Sequence, residues 1–275
     1  VIGRTVEWSQ AHFGTSMVFT FSNHPMSLIQ PHRVPPRLQS LAGKTEQIRK
    51  LGVSVLARVP FTRELLHLSP EKFVQLLVQR IKPRHIVVGP NYSFGDKGLG
   101  NPDMLIALAE KYGVETEICP KIMIGDVMVS STMIRRLLAE GDVAAASSLL
   151  GRPYEISGSI VYGDQRGRML GFPTANLKPA ANVLIPGKGV YAVRVRIGRT
   201  VHAGLCNIGV NPTFGQEQFR IETHILDFDQ EIYGKKMTMY FLGRLRNEKA
   251  FSSVDALVRQ MNLDLQRARI EYFAS

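Results

Sequence analysis

The sequence predicts two regions of different fold class: an α/β region with a parallel sheet over residues 1–150, and an all-β barrel or sandwich over residues 151–275 that ends in a helix. In the first region, short apolar runs alternate with amphipathic helical patterns, which is typical of parallel strands buried between helices. The second region contains several short period-two runs with no helix between them, which is typical of antiparallel strands. The predicted boundary falls at residues 151–153.

The elements of the first region follow from apolar runs and helix start signals. Ser69 and Asn101 each stand directly before a proline, so that a capping side chain precedes a proline at the first helical position. Gly113 is a stop signal for the second of these helices. In chain order, the pattern predicts a strand at 17–21, a helix at 44–50, a strand at 53–59, a helix at 70–81, a strand at 85–88 and a helix beginning at 102.

The elements of the second region follow from alternation and turn residues. The clearest alternation sets one apolar face against one partly charged face: Tyr191, Val193, Val195 and Ile197 against Ala192, Arg194 and Arg196. Similar runs predict strands at 156–162, 201–206, 222–226 and 237–242. A closing amphipathic helix is predicted from an apolar face made of Val254, Leu257, Val258, Met261 and Leu265.

The composition excludes several protein classes. Hydrophobic residues make up 44% and charged residues 21% of the chain, and these near-average values exclude a disordered chain. No run of 18 apolar residues occurs, which excludes a membrane-spanning helix. Cys119 and Cys206 form no CxxC or Cys/His cluster, so that they are predicted to be buried thiols of a reducing compartment, with the cytoplasm as the expected location.

The charge is strongly positive. The formal net charge is +11, from 34 basic and 23 acidic residues, and the excess is spread over both halves of the chain. Such a surface is compatible with anionic ligands such as nucleotides, with weak nucleic-acid binding, and with an ordinary solvated surface. Charge alone does not choose among the three.

A glycine-rich segment at 163–176 is the first candidate for phosphate binding. Three glycines and two arginines lie within nine residues: Gly163, Arg166, Gly167, Arg168 and Gly171. Backbone N–H groups of such a segment can approach phosphates, and its arginines can neutralise them. Judged by composition alone, the segment is equally typical of a glycine-rich hairpin turn.

Three polar side chains on predicted strands carry candidate chemistry. Thr174 and Asn176 are two residues apart, so that both point to the same side of an extended strand. A hydroxyl and an amide oxygen are hard ligands that suit Mg²⁺ together with nucleotide phosphates. Glu222 could act as a general base on an alcohol substrate. The alternative for all three is a polar strand edge that faces solvent.

A series of short motifs runs through the whole chain in a fixed order. The first region contains Phe-Ser-Asn-His-Pro (21–25), Val-Gly-Pro-Asn-Tyr-Ser-Phe-Gly (88–95) and Ser-Ser-Thr-Met-Ile-Arg (130–135). The second contains Gly-Arg-Pro-Tyr (151–154), Gly-Phe-Pro-Thr-Ala-Asn (171–176), Gly-Val-Tyr (189–191), Asn-Ile-Gly-x-x-Pro-Thr-Phe (207–214), Glu-Thr-His-Ile-Leu-Asp (222–227) and Tyr-Gly (233–234). Together they resemble the bacterial bifunctional riboflavin kinase/FAD synthetase family, in which a nucleotidyltransferase-like domain with a Rossmann-like parallel sheet precedes a riboflavin kinase barrel.

The resemblance implies two activities. The barrel would transfer the γ-phosphoryl group of ATP to the ribityl 5′-hydroxyl of riboflavin and form FMN. The first region would transfer AMP from ATP to FMN, which forms FAD and releases pyrophosphate. The resemblance also implies Mg²⁺ as the cofactor, ATP as the co-substrate, and riboflavin and FMN as the flavin ligands.

The resemblance assigns roles to individual residues by their positions. Thr174 and Asn176 would hold Mg²⁺ and nucleotide, and Glu222 would be the base on the ribityl hydroxyl. The other implied residues are Gly163 and Arg168 in a phosphate flap, Arg246 and Lys249 near the phosphate end of the flavin, Asn91 in a flavin-side loop, and Ser130, Ser131, Thr132 and Arg135 at a helix start that holds ATP phosphates. A helix start presents N–H groups and a positive dipole to anions. The alternative for residues 130–132 is an ordinary helix cap.

One family segment does not occur in this sequence. The family's first domain opens with a strand and a Gly-x-Phe-Asp-Gly-x-His-x-Gly-His segment, whose histidines hold ATP phosphates. The run His12-Phe13-Gly14-Thr15 is only superficially similar, with threonine in the place of the last histidine. Loss of one such donor costs a factor of about 100 to 1,000 in rate. We therefore expect the chain as written to form FMN but little or no FAD.

Two other functions compete with the enzyme. A flavin- or mononucleotide-binding regulatory protein on the same scaffold would lack Thr174, Asn176 or Glu222, and all three are present. A basic nucleic-acid-binding barrel would need exposed aromatic residues among its arginines, and the nearest candidate, Tyr191, is predicted on the apolar face. We expect small-molecule substrates, no nucleic-acid or membrane partner, and a monomer or weak homo-oligomer.

Overall fold

The chain forms two compact units. The computed structural model describes residues 1–163, 167, 171–213 and 216–274, with the backbone alone for 210–213 and 216–218. The α/β unit consists of Val1–Pro35 and Leu41–Met123, and the barrel unit consists of Pro36–Ser40 and Ile124–Ser275. Residues 131–150 are therefore packed with the barrel, while the predicted domain boundary at 151–153 stays a prediction.

The α/β unit alternates helices and short strands. Its helices are α1 Ile2–Ala11, α2 Met26–Ile29, α3 Leu41–Lys50, α4 Arg63–Leu66, α5 Pro70–Ile81 and α6 Pro102–Glu110, with 3-10 turns at Pro31–Arg33 and Asp96–Gly98. Its strands are β1 Met17–Phe21, β2 Val55–Val59, β3 His85–Val88 and β4 Glu115–Ile118. All six predicted elements are present with small shifts at their ends. The sequence pattern does not predict α1 or β4.

The two predicted helix starts are confirmed by their caps. Ser69 Oγ accepts the backbone N–H of Lys72 at 3.3 Å. Asn101 Oδ1 accepts the backbone N–H of Met104 at 2.8 Å. Each cap satisfies one of the N–H groups that a helix leaves without a partner in its first turn.

The strands of the α/β unit pair in parallel, as predicted, but in two separate pairs. β1 pairs with β2, and β3 pairs with β4. Within the described residues neither β1 nor β3 has a second neighbour. A cavity of about 550 Å³ is lined by residues of both strands, including Val18 and Val87, and by Trp8 of α1. The sheet of this unit is therefore open in its middle.

The barrel unit combines helices with six long strands. A short hairpin of β5 Met123–Ile124 and β6 Val127–Met128 precedes the helices α7 Ser131–Glu140 and α8 Val143–Leu150. The six strands are β7 Tyr154–Val161, β8 Thr174–Pro179, β9 Gly189–Ile197, β10 Thr200–Thr213, β11 Gln216–Ile225 and β12 Lys236–Arg246. The chain ends in α9 Val254–Ala268 and a π-helical turn Arg269–Phe273.

The six strands close into an antiparallel barrel with the order β10-β11-β8-β7-β12-β9. Each strand therefore has a hydrogen-bonded neighbour on both sides, which removes the exposed edges of an open sheet. The inner face is apolar and fully buried, with Tyr191, Val193, Val195, Met239 and Phe241 all at 0% exposure. This result confirms the alternation predicted for residues 191–197.

The outer face of the barrel is covered in part by the C-terminal helix. Ala192 is also fully buried, because it belongs to a second apolar cluster outside the barrel with Leu205, Leu245 and Ala268 of α9. The prediction that Val254 lies on the packed face of this helix is wrong: its side chain is 58% exposed. Val254 is the first residue of α9, whereas the contacts with this cluster come from the last turns, including Leu265.

Candidate active site

Three polar residues line up across neighbouring strands on the outer face of the barrel. Glu222 of β11 lies opposite Asn176 of β8 on one side and opposite Asn207 of β10 on the other. Directly opposite residues project from the same face of a sheet. Their chain neighbours Ala175, Thr223 and others are buried in the barrel interior. Strand alternation therefore brings Asn176, Glu222 and Asn207 into one polar row.

The predicted base, Glu222, is held by an arginine two residues earlier. Arg220 Nη2 contacts Glu222 Oε1 at 2.7 Å, and the two side chains are 25% and 22% exposed. Residues two apart on a strand share a face, so that β11 itself fixes this pair. The arginine restricts the orientation of the carboxylate while leaving it accessible to solvent and ligand. The sequence analysis did not identify Arg220.

Thr174 and Asn176 lie on the same outer face, and two glycine backbones approach them closely. A Cβ atom at Gly163 would collide with the side-chain amide of Asn176. A Cβ atom at Gly167 would lie 3.4 Å from Thr174 Oγ1 and would collide with the carbonyl oxygen of Phe172. Only glycine permits this approach of backbone to side chain. The structure thus brings Gly163, Thr174, Asn176 and Glu222 together.

The second residue predicted in the phosphate flap, Arg168, lies outside the described residues. The described part of this segment consists of Gly163 and Gly167, which lie between the antiparallel strands β7 and β8 and close to Asn176 and Thr174. His224 is a further neighbour that the sequence analysis did not identify. Its Nδ1 is 2.9 Å from the carbonyl oxygen of Pro173, and it lies opposite Thr174. Its position two residues after Glu222, on the same face, is the signal that could have indicated it.

The donor set around Thr174 and Asn176 fits Mg²⁺. Their hydroxyl and amide oxygens are hard ligands of the kind that Mg²⁺ prefers. In the part of the chain that the structure describes, no group of three or more His, Cys, Asp and Glu side chains could hold a metal ion by itself. A magnesium ion here would therefore depend on nucleotide phosphates for most of its ligands, which is its usual manner of binding in nucleotide sites.

Arg246 and Lys249, predicted near the flavin, follow the end of β12. Arg246 lies opposite Val190, and Val190 lies opposite Asn207. Arg246 therefore belongs to the same cross-strand ladder as the polar row. Its Nε contacts Asp264 Oδ2 at 2.8 Å. The ring of Phe251 lies 5.6 Å from the Arg246 guanidinium and 5.9 Å from Lys249 Nζ. The two predicted cations thus contact the same aromatic ring.

The predicted ATP-phosphate residues of the first region lie at the start of α7. Ser130 Oγ accepts the backbone N–H of Met133 at 3.2 Å, which is an ordinary helix cap. Ser131 and Thr132 are exposed in the first turn. Arg135 Nε donates to the carbonyl oxygen of Pro36 at 2.8 Å. The cap and the phosphate site are compatible, because capping uses one N–H group and leaves others in the first turn.

Asn91 lies in the α/β unit, in the loop that follows β3. It is exposed, whereas the next residue, Tyr92, stacks on Phe94 with ring centroids 5.6 Å apart. Burial raises the pKa of Tyr92 to about 12. The loop therefore has an anchored aromatic residue beside an exposed amide at the carboxyl end of a parallel strand, where ligands of such sheets bind.

Similarity to two known families defines the chain as a two-part enzyme of flavin metabolism. Residues 1–133 match the FAD synthetase family model, and residues 150–272 match the riboflavin kinase family model. The first match covers the parallel strands and the start of α7. The second covers the barrel and α9.

Named bacterial enzymes align with nearly the whole chain. The bifunctional riboflavin kinase/FMN adenylyltransferase of Listeria monocytogenes is 39% identical over 92% of this chain and 81% of its own. The corresponding proteins of Bacillus subtilis and Escherichia coli are each 36% identical, over 100% and 94% of this chain and 88% and 82% of theirs. The chain belongs to the bifunctional riboflavin kinase/FMN adenylyltransferase family.

A solved structure shares the complete fold. A Streptococcus pneumoniae protein, described as a macrolide-efflux protein, matches with a TM-score of 0.88 and 30% identity, over 98% of this chain and 88% of that one. The description concerns that protein, and the likeness supports the fold. Among the described residues of the present chain, no helix is long and apolar enough to cross a membrane.

Proposed function

We propose that the barrel unit transfers the γ-phosphoryl group of ATP to the 5′-hydroxyl of riboflavin, with Glu222 as the catalytic base. The observation that carries this proposal is the polar row in which Glu222 lies directly opposite Asn176, while the backbone of Gly163 contacts the amide of Asn176. A carboxylate that can accept a proton therefore lies beside an amide and a glycine backbone of the kind that suits nucleotide phosphates. Phosphoryl transfer needs this combination of an oriented nucleophile and charge stabilisation.

Glu222 accepts the proton of the ribityl 5′-hydroxyl as its oxygen forms a bond to the γ-phosphorus of ATP. The bond from that phosphorus to the β,γ-bridging oxygen breaks, and ADP leaves with its electron pair. Arg220 holds Oε1 at 2.7 Å and so keeps the carboxylate in one orientation. A positioned base of this kind contributes a factor of about 100 to 10,000 to the rate.

Thr174, Asn176 and the flap glycines bind the nucleotide in this mechanism. Mg²⁺, held by the oxygens of Thr174 and Asn176, would neutralise charge on the transferring phosphoryl group. Gly163 and Gly167 let the flap backbone approach the phosphates, and an alanine at either position would displace a neighbouring atom.

The test of this proposal is FMN formation by the Glu222→Gln variant. We expect a rate lower by about 100- to 10,000-fold with riboflavin binding retained, because the amide keeps the shape of the side chain but cannot accept the proton. Chromatography of a reaction with riboflavin and Mg-ATP measures the rate, and equilibrium dialysis measures riboflavin binding. Glu140→Gln, an exposed carboxylate on α7, is the matched control. Wild-type turnover by Glu222→Gln at saturating substrates contradicts the assignment.

A second activity, transfer of AMP to FMN, is proposed for the region up to α7. The FAD synthetase match over residues 1–133 supports it, as do the first-turn N–H groups of α7, which suit phosphates. Incubation with FMN and Mg-ATP tests it: brisk release of FAD and pyrophosphate supports the activity and contradicts the expectation from the motifs that the chain as written forms little or no FAD. Ser131→Pro, which removes one N–H at the first helical position, provides a variant that lowers this activity and leaves FMN formation intact.

Other properties favour a metabolic enzyme over the two competing functions. Tyr191, the aromatic residue that a nucleic-acid-binding barrel would have to expose, is fully buried. Both cysteines are free and buried, and burial raises the pKa of the Cys206 thiol to about 12, so that it stays unreactive at neutral pH. Free buried thiols support a reducing compartment, and we place the chain in the cytoplasm on that basis.

A further inference from the structure

Asp264 of α9 is a buried carboxylate that the mechanism above does not use. The residue is 5% exposed. Its Oδ2 and Oδ1 accept Arg246 Nε at 2.8 and 3.1 Å, and Gln260 Nε2 donates to Oδ1 at 2.9 Å. A carboxylate removed from water persists only where a cation and further hydrogen bonds compensate it. Asp264, Arg246 and Gln260 therefore form one connected group.

The remaining contacts of Arg246 fix the plane of its guanidinium. Nη1 donates to the carbonyl oxygen of Asn247 at 3.1 Å, and the ring of Phe251 lies 5.6 Å away. The contacts made with described residues thus use Nε and one N–H of Nη1, so that the second N–H of Nη1 and both N–H groups of Nη2 remain for a ligand. The side chain is still 20% exposed, so that a ligand can reach it.

Arg246 and Glu222 lie on one ladder of the barrel's outer face. The ladder runs from Arg246 to Val190, then to Asn207, then to Glu222. Because the barrel is closed, this ladder curves around it and places β12 and β11 on opposite sides. The segment that follows Arg246 nevertheless reaches the polar row, because Glu248 Oε1 lies 2.7 Å from the position of a Cβ at Gly209, and Asn207 Nδ2 lies 3.9 Å from the same position. An elongated ligand whose hydroxyl reaches Glu222 can therefore have its other end near Arg246.

We propose that Asp264 is a positioning residue for riboflavin, which acts by holding Arg246 in its flavin-binding orientation. The proposal rests on the proposed kinase function and on the flavin contact assigned to Arg246. Asp264 itself touches no substrate atom. Because Arg246 is ordered before the ligand arrives, binding does not have to immobilise a long flexible side chain. Gln260 supports the same arrangement from one turn earlier on α9.

The test compares Michaelis constants in Asp264→Asn. The substitution preserves size and removes the charge that holds Arg246. We expect the KM for riboflavin to rise about 3- to 10-fold, the effect of having to order one long side chain on binding. The KM for Mg-ATP and the kcat should change less than about twofold, since neither depends on Arg246. Glu271→Gln is the matched control, because it breaks an arginine–carboxylate contact of 2.7 Å at the exposed end of the same helical segment and should leave both Michaelis constants unchanged.

A double variant distinguishes positioning from a general structural role. With Arg246→Ala already present, Asp264→Asn should cause no additional rise in the KM for riboflavin. If Asp264→Asn raises the KM for riboflavin by its full amount even when Arg246→Ala is present, the proposal is overturned. An unchanged KM for riboflavin in the folded Asp264→Asn protein, or an equal rise in the KM for Mg-ATP, also overturns it. If circular dichroism shows that Asp264→Asn does not fold, Gln260→Leu takes its place, with a smaller rise expected and an unchanged value again overturning the proposal. A wild-type chain that forms no FMN overturns the kinase function instead.

Discussion

The barrel and the α/β unit treat their strand edges in opposite ways. Each of the six barrel strands has two hydrogen-bonded neighbours. In the described α/β unit, β1 and β3 are each paired on one side, and both border a cavity of about 550 Å³. Closure satisfies backbone groups and encloses side chains, whereas an open edge leaves polar groups to water. Among the described residues, the barrel strands thus have their backbone groups paired on both sides, which the strands of the α/β unit do not.

The two units also place their functional residues differently. On β11, Ile221 and Thr223 are buried in the core while Glu222 faces outward. One strand therefore supports packing and chemistry at once. In the α/β unit, Asn91 lies in a loop beyond the end of β3. Sites on regular elements are positioned more accurately than sites on loops, which suits the barrel to a reaction that depends on proton transfer.

The stabilities of the two units can be measured separately, because each unit has its own signal of unfolding. The chain has a single tryptophan, Trp8, which lies on α1 of the α/β unit. Its fluorescence in urea reports the unfolding of that unit. FMN formation after the same urea treatment reports the barrel.

The largest expected effect is the loss of the barrel core in Phe241→Ala. Phe241 is fully buried, and its ring centroid is 5.4 Å from that of Tyr191 in an edge-on contact. We expect the free energy of unfolding of the barrel to fall by about 3 to 5 kcal/mol, as for other buried phenylalanines. The urea midpoint of FMN formation should drop while that of Trp8 fluorescence stays. Phe13→Ala, at a fully exposed phenylalanine, is the control, and equal shifts of both midpoints would contradict separate cores.

Substitutions on the outer face of the same barrel should separate activity from stability. Asn176→Ala and Thr174→Ala each remove one proposed oxygen ligand from the outer face of β8 but no core packing. A contact with a charged group contributes about 1.5 to 3 kcal/mol, so that kcat/KM for Mg-ATP should fall about 10- to 150-fold. The free energy of unfolding should change by less than about 0.5 kcal/mol. Titration of activity with ATP and Mg²⁺ measures the effect. Normal dependence on both would remove the residue from the metal site.

The smallest expected effect concerns a helix cap in the α/β unit. Ser69→Ala removes the acceptor for the N–H of Lys72, and loss of such a cap costs about 1 kcal/mol. The urea midpoint of Trp8 fluorescence should decrease while FMN formation is unaffected. Ser148→Ala, at an exposed serine inside α8, is the control. An equal decrease of both midpoints would show that the two units do not unfold separately.

Local patterns were sufficient for most of the fold. Ser69 and Asn101 each mark a helix start that the structure places at the predicted residue, because capping depends on neighbours within one turn. The alternation at 191–197 indicates the inner face of β9 for the same reason. The exposure of Val254 was not predictable, since a helix can present an apolar residue at a turn that its partner surface does not reach.

Part of the site was equally accessible to sequence reasoning. Thr174 and Asn176 share a face because they are two apart on a strand, and that relation needs no knowledge of neighbours. By contrast, the sequence patterns did not indicate three other residues of the site: Arg220, His224 and Asn207. Each of them belongs to the site only because the folded barrel sets it beside Glu222 or Thr174. Asp264 was not identified either, since its partner Arg246 is 18 residues away and on another element.

Sequence patterns alone were enough to predict the two fold classes, most element positions, the family resemblance and the residue proposed as the base, Glu222. These depend on short-range periodicity and on motifs read along the chain. Only the tertiary structure decided that Asn176 lies opposite Glu222, that Gly163 contacts Asn176, and that a helix carboxylate holds Arg246. The physical reason is register: closure of the barrel sets which residues of different strands are neighbours, and a shift by one residue would turn each of them to the opposite face.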